Sequence, residues 1–152
     1  MNKSRAKVVR RWVIAIGWML LIFIGSSNVL SAEHTSRFLT PFLRWLDPTI
    51  SVSTIAAIHF TVRKLGHFTE YAVLALLLWR ALRISLIHKS DVAIAAICFG
   101  CAAIYAASDE FHQSFIPSRT SSPHDVLIDC VGAAFAIAIC WGAARSYQPA
   151  TR

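Results

Sequence analysis

This sequence predicts an all-α polytopic membrane protein: four transmembrane helices, with an amphipathic surface helix in the first outer loop. Three observations carry that expectation. Apolar residues fill 56% of the 152 positions and charged ones only 15%, where a soluble domain runs near about half and a quarter; mean hydropathy is +0.55. The apolar residues gather in four blocks, each near the roughly 20 residues that cross a hydrocarbon core of about 30 Å. The basic residues are sorted between the connections, ten of 15 on one side of such a bundle and five on the other. A soluble globule, a disordered chain and a disulfide-stapled secreted module are excluded.

The elements follow in order within one domain, 1–152. Residues 1–11 form a basic tail (Lys3, Arg5, Lys7, Arg10, Arg11), and the first span covers about 12–27. No convincing small-residue cleavage site closes that span, so it reads as an uncleaved helix and not a signal peptide. In the outer loop, Phe38, Leu39, Phe42, Trp45 and Leu46 face away from Ser36, Arg37 and Arg44. That pattern is an amphipathic helix, lying on the membrane surface or over the bundle mouth. Pro41 is expected to break it or open a turn of it. Ser51 offers an N-cap, and helical periodicity runs from about Thr54 into the second span, 64–83. The third and fourth spans cover 91–110 and 125–144, joined by an irregular Ser- and Pro-containing loop.

The net charge of +7 suggests nucleic acid until its distribution is read. The tail, Arg80, Arg83, Lys89, Arg145 and Arg152 share one side, which the positive-inside rule places in the cytoplasm with both termini. Trp12, Trp79 and Trp141 lie near that boundary. Anionic lipid is the implied partner, and nucleic acid is not. Cys98, Cys101, Cys130 and Cys140 fall inside spans, where small apolar packing explains them better than the half-motif Cys98-x-x-Cys101.

The acids show the opposite bias. Only Asp91 of the eight lies on the basic side; Glu33, Asp47, Glu70, Asp109, Glu110, Asp125 and Asp129 lie toward the other. Glu70 and Asp129 stand inside apolar sequence, where a charge costs about 2.5–3.5 kcal/mol and so faces protein or a wet cavity. Three clusters result. Arg63, Lys64, His67, Glu70 and Tyr71 share one face of the second span, within an arc of roughly 120°. Tyr105, Ser108, Asp109 and His112 share a face of the third, with Gln113 at its margin and Glu110 pointing elsewhere. Asp125 and Asp129 stand one turn apart on the fourth, beside Gly132 and Ala136, whose small side chains admit a close neighbour. Plainer roles fit some of these: an ion pair of Glu70 with Lys64 or Arg63, a hydrogen-bonded core histidine at His67, and an N-terminal dipole partner at Asp125.

The stretches Arg63-Lys64-Leu65-Gly66-His67-Phe68-Thr69-Glu70-Tyr71, Ser108-Asp109-Glu110-Phe111-His112-Gln113-Ser114-Phe115-Ile116-Pro117-Ser118-Arg119 and Asp125-Val126-Leu127-Ile128-Asp129-Cys130-Val131-Gly132 resemble the VanZ-like family. Ser118 departs from the glycine expected before the arginine. The resemblance covers nearly the whole chain and implies a small integral protein of the bacterial cytoplasmic (inner) membrane. The family is named for a protein associated with low-level resistance to teicoplanin-type glycopeptides. It brings no cofactor and no settled reaction.

Read as chemistry, His67, Glu70, Asp109, His112 and Asp129 are the candidates for proton transfer. Arg63, Lys64, Tyr105, Gln113, Arg119 and Asp125 are the candidates for ligand contact, with arginine suited to grip phosphate by a bidentate fork. The expected partner is membrane lipid, a lipid-linked envelope precursor or a glycopeptide-related target. One class is a binding protein; the other is a membrane-embedded hydrolase or transferase acting on an anionic headgroup. The spacings His67-x-x-Glu70 and Asp109-x-x-His112 leave room for a divalent metal, though none is required.

Overall fold

The computed structural model describes residues 3–27, 32–117, 119 and 121–146, with side chains from 4 and from 36 onward in the first two segments. Every regular element among them is a helix: α1 (Lys3–Ser26), α2 (Ala32–Leu46), α3 (Val52–Ser85), α4 (Asp91–Gln113) and α5 (Pro123–Ser146). Of the positions singled out above, Ser118, Arg152 and the side chains of Lys3 and Glu33 lie outside the described residues.

The helices overrun the predicted spans. α1 begins at Lys3, so the basic tail is helical and not a separate arm; Arg and Lys are good helix formers with no breaker between them and Trp12. α3 is one helix of 34 residues, about 51 Å long. Ser51 caps it as expected, its Oγ accepting from the Thr54 amide at 3.1 Å. Ser90 caps α4 in the same way, accepting from Ala93 at 3.2 Å. Pro41 does not break α2 but sits inside it. A proline removes one intrahelical bond and crowds the preceding turn.

Side-chain contacts fix how the helices run. At one end the Arg11 guanidinium donates to the Arg80 carbonyl at 2.7 Å and the Trp12 indole to Ser85 Oγ at 2.9 Å. Arg83 meets Asp91 at 3.3 Å across the α3–α4 turn. At the other end Ser26 bonds Asp109, and His67 bonds Asp129. α1 and α4 therefore run one way, α3 and α5 the other. Tyr71, Leu74, Ala75, Cys98, Ala102, Ala106 and Ala133 fill the middle. Large apolar side chains such as Ile14, Leu20, Ile104, Val131 and Ile139 point outward. A surface this apolar suits lipid and not water.

The closest approach is between α3 and α5. A Cβ on Gly132 would overlap the Phe68 carbonyl oxygen and lie 3.0 Å from its carbon and 3.1 Å from its Cα. Only glycine permits this crossing, and it brings the polar residues one turn above into contact.

By length and composition three helices among the described residues are apolar enough to cross a membrane: Ser4–Ser26, Asp91–Gln113 and Pro123–Ser146. α3 is longer than any of them, but His67, Thr69, Glu70 and Arg80 interrupt its apolar run. Among the described residues α2 packs on α3 alone. Thr40 Oγ1 lies 3.2 Å from His59 Nε2, while Phe38, Phe42, Trp45 and Leu46 stay exposed.

Candidate functional site

The polar groups form two assemblies at the end of the bundle opposite the basic turn. The first joins α3 to α5. His67 is buried and its Nδ1 lies 3.1 Å from Asp129 Oδ1, while Nε2 lies 3.8 Å from Asp125 Oδ2. Asp125 also takes Lys64 Nζ in a short ion pair and an Arg63 Nη2 contact at 3.4 Å. Both aspartates are 1% exposed. A carboxylate so buried needs paired charge and hydrogen bonds, and residues 63, 64 and 67 supply them from successive turns of one helix.

The second assembly joins α4 to α1. Asp109 Oδ2 accepts from Ser26 Oγ at 2.7 Å and Gln113 Nε2 at 3.0 Å. The Tyr105 hydroxyl donates to the Met19 carbonyl at 2.6 Å. Arg119 reaches from the loop to the end of α1, its Nε donating to the Ser27 carbonyl at 3.1 Å and its Nη2 to the Ser27 and Gly25 carbonyls. The last carbonyls of a helix lack partners within it, so a cation here is doubly favourable. Burial, and after it the nearby Arg63 cation, lower the Arg119 pKa from its ordinary value, while Glu70, Asp109 and Glu110 act to raise it.

Between the assemblies lies a cavity of about 380 Å³. Arg63, Gly66, His67 and Glu70 border it from α3, Ser26 from α1, Gln113 from α4 and Arg119 from the loop, with His59, Phe60 and Val62 above. Among the described residues nothing hydrogen-bonds the Glu70 carboxyl group. Its backbone carbonyl, by contrast, is fixed by the Trp18 indole at 2.9 Å. The lining therefore offers two guanidinium groups, two imidazoles and a carboxyl beside an apolar wall. No three His, Cys, Asp or Glu side chains among the described residues converge as a metal-ligand set.

The family model described as VanZ/LLP1 matches residues 11–145. The chain belongs to the VanZ/LLP1 family. No curated protein and no solved structure matches it.

On this VanZ/LLP1 chain the residues singled out from sequence separate into three groups. Arg63, Lys64 and His67 converge on Asp125, and His67 also meets Asp129. Glu70, Gln113 and Arg119 border the cavity with His67 and Arg63. Asp109 stands behind it, holding Gln113. Tyr105 is engaged with the α1 backbone, and His112 turns its ring onto Phe23, 4.3 Å between centroids, so neither borders the cavity. Ser108 is exposed and bonds only the Tyr105 carbonyl. Glu110 does not point away from the bundle: it is 5% exposed, and its Oε1 accepts from the Ser122 amide at the start of α5. Trp18 and His59 were not singled out from sequence, and Glu110 was named there without a partner; its pairing with the Ser-Pro helix start was the signal available.

Proposed function

We propose that this VanZ/LLP1 protein is a four-span protein of the bacterial cytoplasmic membrane whose cavity, on the outer face, receives a phosphate-bearing lipid or lipid-linked headgroup. In this reading α3 also crosses the membrane, as the second of four spans, both termini are cytoplasmic, and α2 rests its exposed Phe38, Phe42 and Trp45 on the outer leaflet. The observation that carries it is the cavity lining, with Arg63 and Arg119 beside His67 and the apolar Phe60 and Val62. Guanidinium groups grip phosphate, and an apolar wall suits acyl chains. Any effect on glycopeptide susceptibility, as the family's name implies, follows from holding or masking such a headgroup. A second reading, a hydrolase or transferase acting on that headgroup, is favoured by the His67–Asp129 pair at 3.1 Å. An aspartate on one imidazole nitrogen leaves the other to exchange a proton.

Two measurements test this. In a cysteine-free background, Ser121→Cys labels from outside the cell and Lys89→Cys only after permeabilisation; the reverse pattern ends the topology. In native mass spectrometry of the full chain in detergent, phospholipids bind in preference to diacylglycerol, and Arg63→Ala weakens that preference. Equal retention of diacylglycerol would remove the headgroup site. Phospholipid consumed or modified on incubation, and spared by His67→Ala, would favour the enzymatic reading.

A further inference from the structure

The cavity is not uniformly cationic. Its lining carries acceptors as well as cations. Arg63 keeps 24% of its side chain exposed, whereas Gln113 is 1% exposed. The Gln113 amide has a fixed orientation, because its Nε2 donates to Asp109 Oδ2 at 3.0 Å. Its Oε1 is left as a buried acceptor with no partner among the described residues. Asp109 Oδ1 is orphaned in the same way, both donors to that carboxyl group converging on Oδ2. Glu70 adds a carboxyl group on the cavity wall. A buried acceptor without a donor costs about 1–3 kcal/mol, so Gln113 Oε1 on the cavity wall points to a ligand that brings hydrogen.

We propose that the ligand is zwitterionic, of the phosphoethanolamine class: phosphate at Arg63 and Arg119, primary ammonium at Glu70 and Gln113 Oε1. A plain anionic phosphate would answer the guanidinium groups and leave the acceptors unmet. A glycerol headgroup supplies hydroxyl donors but no charge to balance Glu70. A choline headgroup supplies charge but no N–H for Gln113. Only a primary ammonium provides both, with three donors to share. The assignment rests on the cavity being the headgroup site proposed above.

The test titrates the full chain in detergent with phosphatidylethanolamine, phosphatidylcholine, phosphatidylglycerol and diacylglycerol, read by native mass spectrometry. Phosphatidylethanolamine binds about tenfold tighter than the other two phospholipids, the range expected for a charge-assisted hydrogen bond. Glu70→Gln, similar in size and without charge, abolishes that margin while leaving phospholipid ahead of diacylglycerol. The headgroup series is read on the unaltered chain, so a poorly folded variant leaves it intact. Equal binding of the three phospholipids, all above diacylglycerol, overturns the zwitterion assignment and spares the headgroup site. Loss of the advantage over diacylglycerol overturns both. Free O-phosphoethanolamine separates the sources: competition means the headgroup suffices, and its failure means the acyl chains belong to the ligand.

Discussion

Gly132 of α5 lies against the backbone of Phe68 in α3, with no space for a methyl group between them. Gly132→Ala must push the two helices apart, and overpacking of this kind costs about 1–3 kcal/mol. The displacement acts one turn from the His67–Asp129 contact, so the same substitution weakens the headgroup binding proposed for the adjoining cavity. Gly17→Ala is the control. Nothing lies within 4 Å of the Cβ it would add, and alanine in a helix raises stability by up to about 1 kcal/mol. Thermal unfolding in detergent separates the two.

Asp125 binds Lys64 while almost wholly buried. Asp125→Asn strands the cations that face it, at a cost toward the lower end of about 3–5 kcal/mol because Lys64 is partly exposed. Lys64→Met added to Asp125→Leu removes both charges and costs less than the sum of the single changes. Strict additivity in that double-mutant cycle would show that the pair is not coupled.

Arg119 closes the end of α1 through the Gly25 and Ser27 carbonyls. Arg119→Ala leaves them without this donor and lowers stability by about 1–3 kcal/mol. Arg119→Lys recovers part of that, since an ammonium reaches fewer carbonyls at once than a planar fork. An envelope phenotype lost in Arg119→Ala therefore has to be read beside the variant's melting temperature.

Asp47 sits in the turn between α2 and α3, where Thr49 donates to its Oδ1 from both hydroxyl and amide, at 2.7 and 2.9 Å. The hydroxyl bond first, then the amide, lowers its pKa from the ordinary value. A lowered pKa means the folded turn favours the ionised form. Its contribution is present above the unfolded pKa and fades as pH falls through the folded one. The Thr49 amide resonance should hold its position through mildly acidic pH and move only below the usual carboxylate range. A midpoint at or above that range would contradict the hydrogen bonds.

Sequence patterning revealed what depends on neighbours three or four residues apart. The periodicity through Thr54, the Ser51 cap, the small residue at Gly132 and the shared face of Lys64 and His67 are all local facts, and the helices realise them. Contacts across the bundle were harder to read. Glu110 follows Asp109 by about 100° around the helix, and it becomes buried because the loop after α4 folds back to that side. Arg119 is 92 positions from the Ser27 carbonyl it binds, and nothing local distinguishes a phosphate clamp from a helix cap. His112 shares the Asp109 face yet stacks on Phe23, a choice made by where α1 lies.

The unbroken run of α3 has a mechanical consequence. His59, Arg63, His67 and Glu70 ride on one rod without a hinge, and its outer part is gripped by α2 through Thr40 and His59. A helix with its hydrogen-bond ladder intact cannot bend at one of these positions and spare the next. Any tilt or roll of α2 is therefore handed on as a common rotation of all four side chains. In the proposed membrane placement, local curvature or thickness then sets the aim of these cavity-lining residues together, like teeth on a single gear.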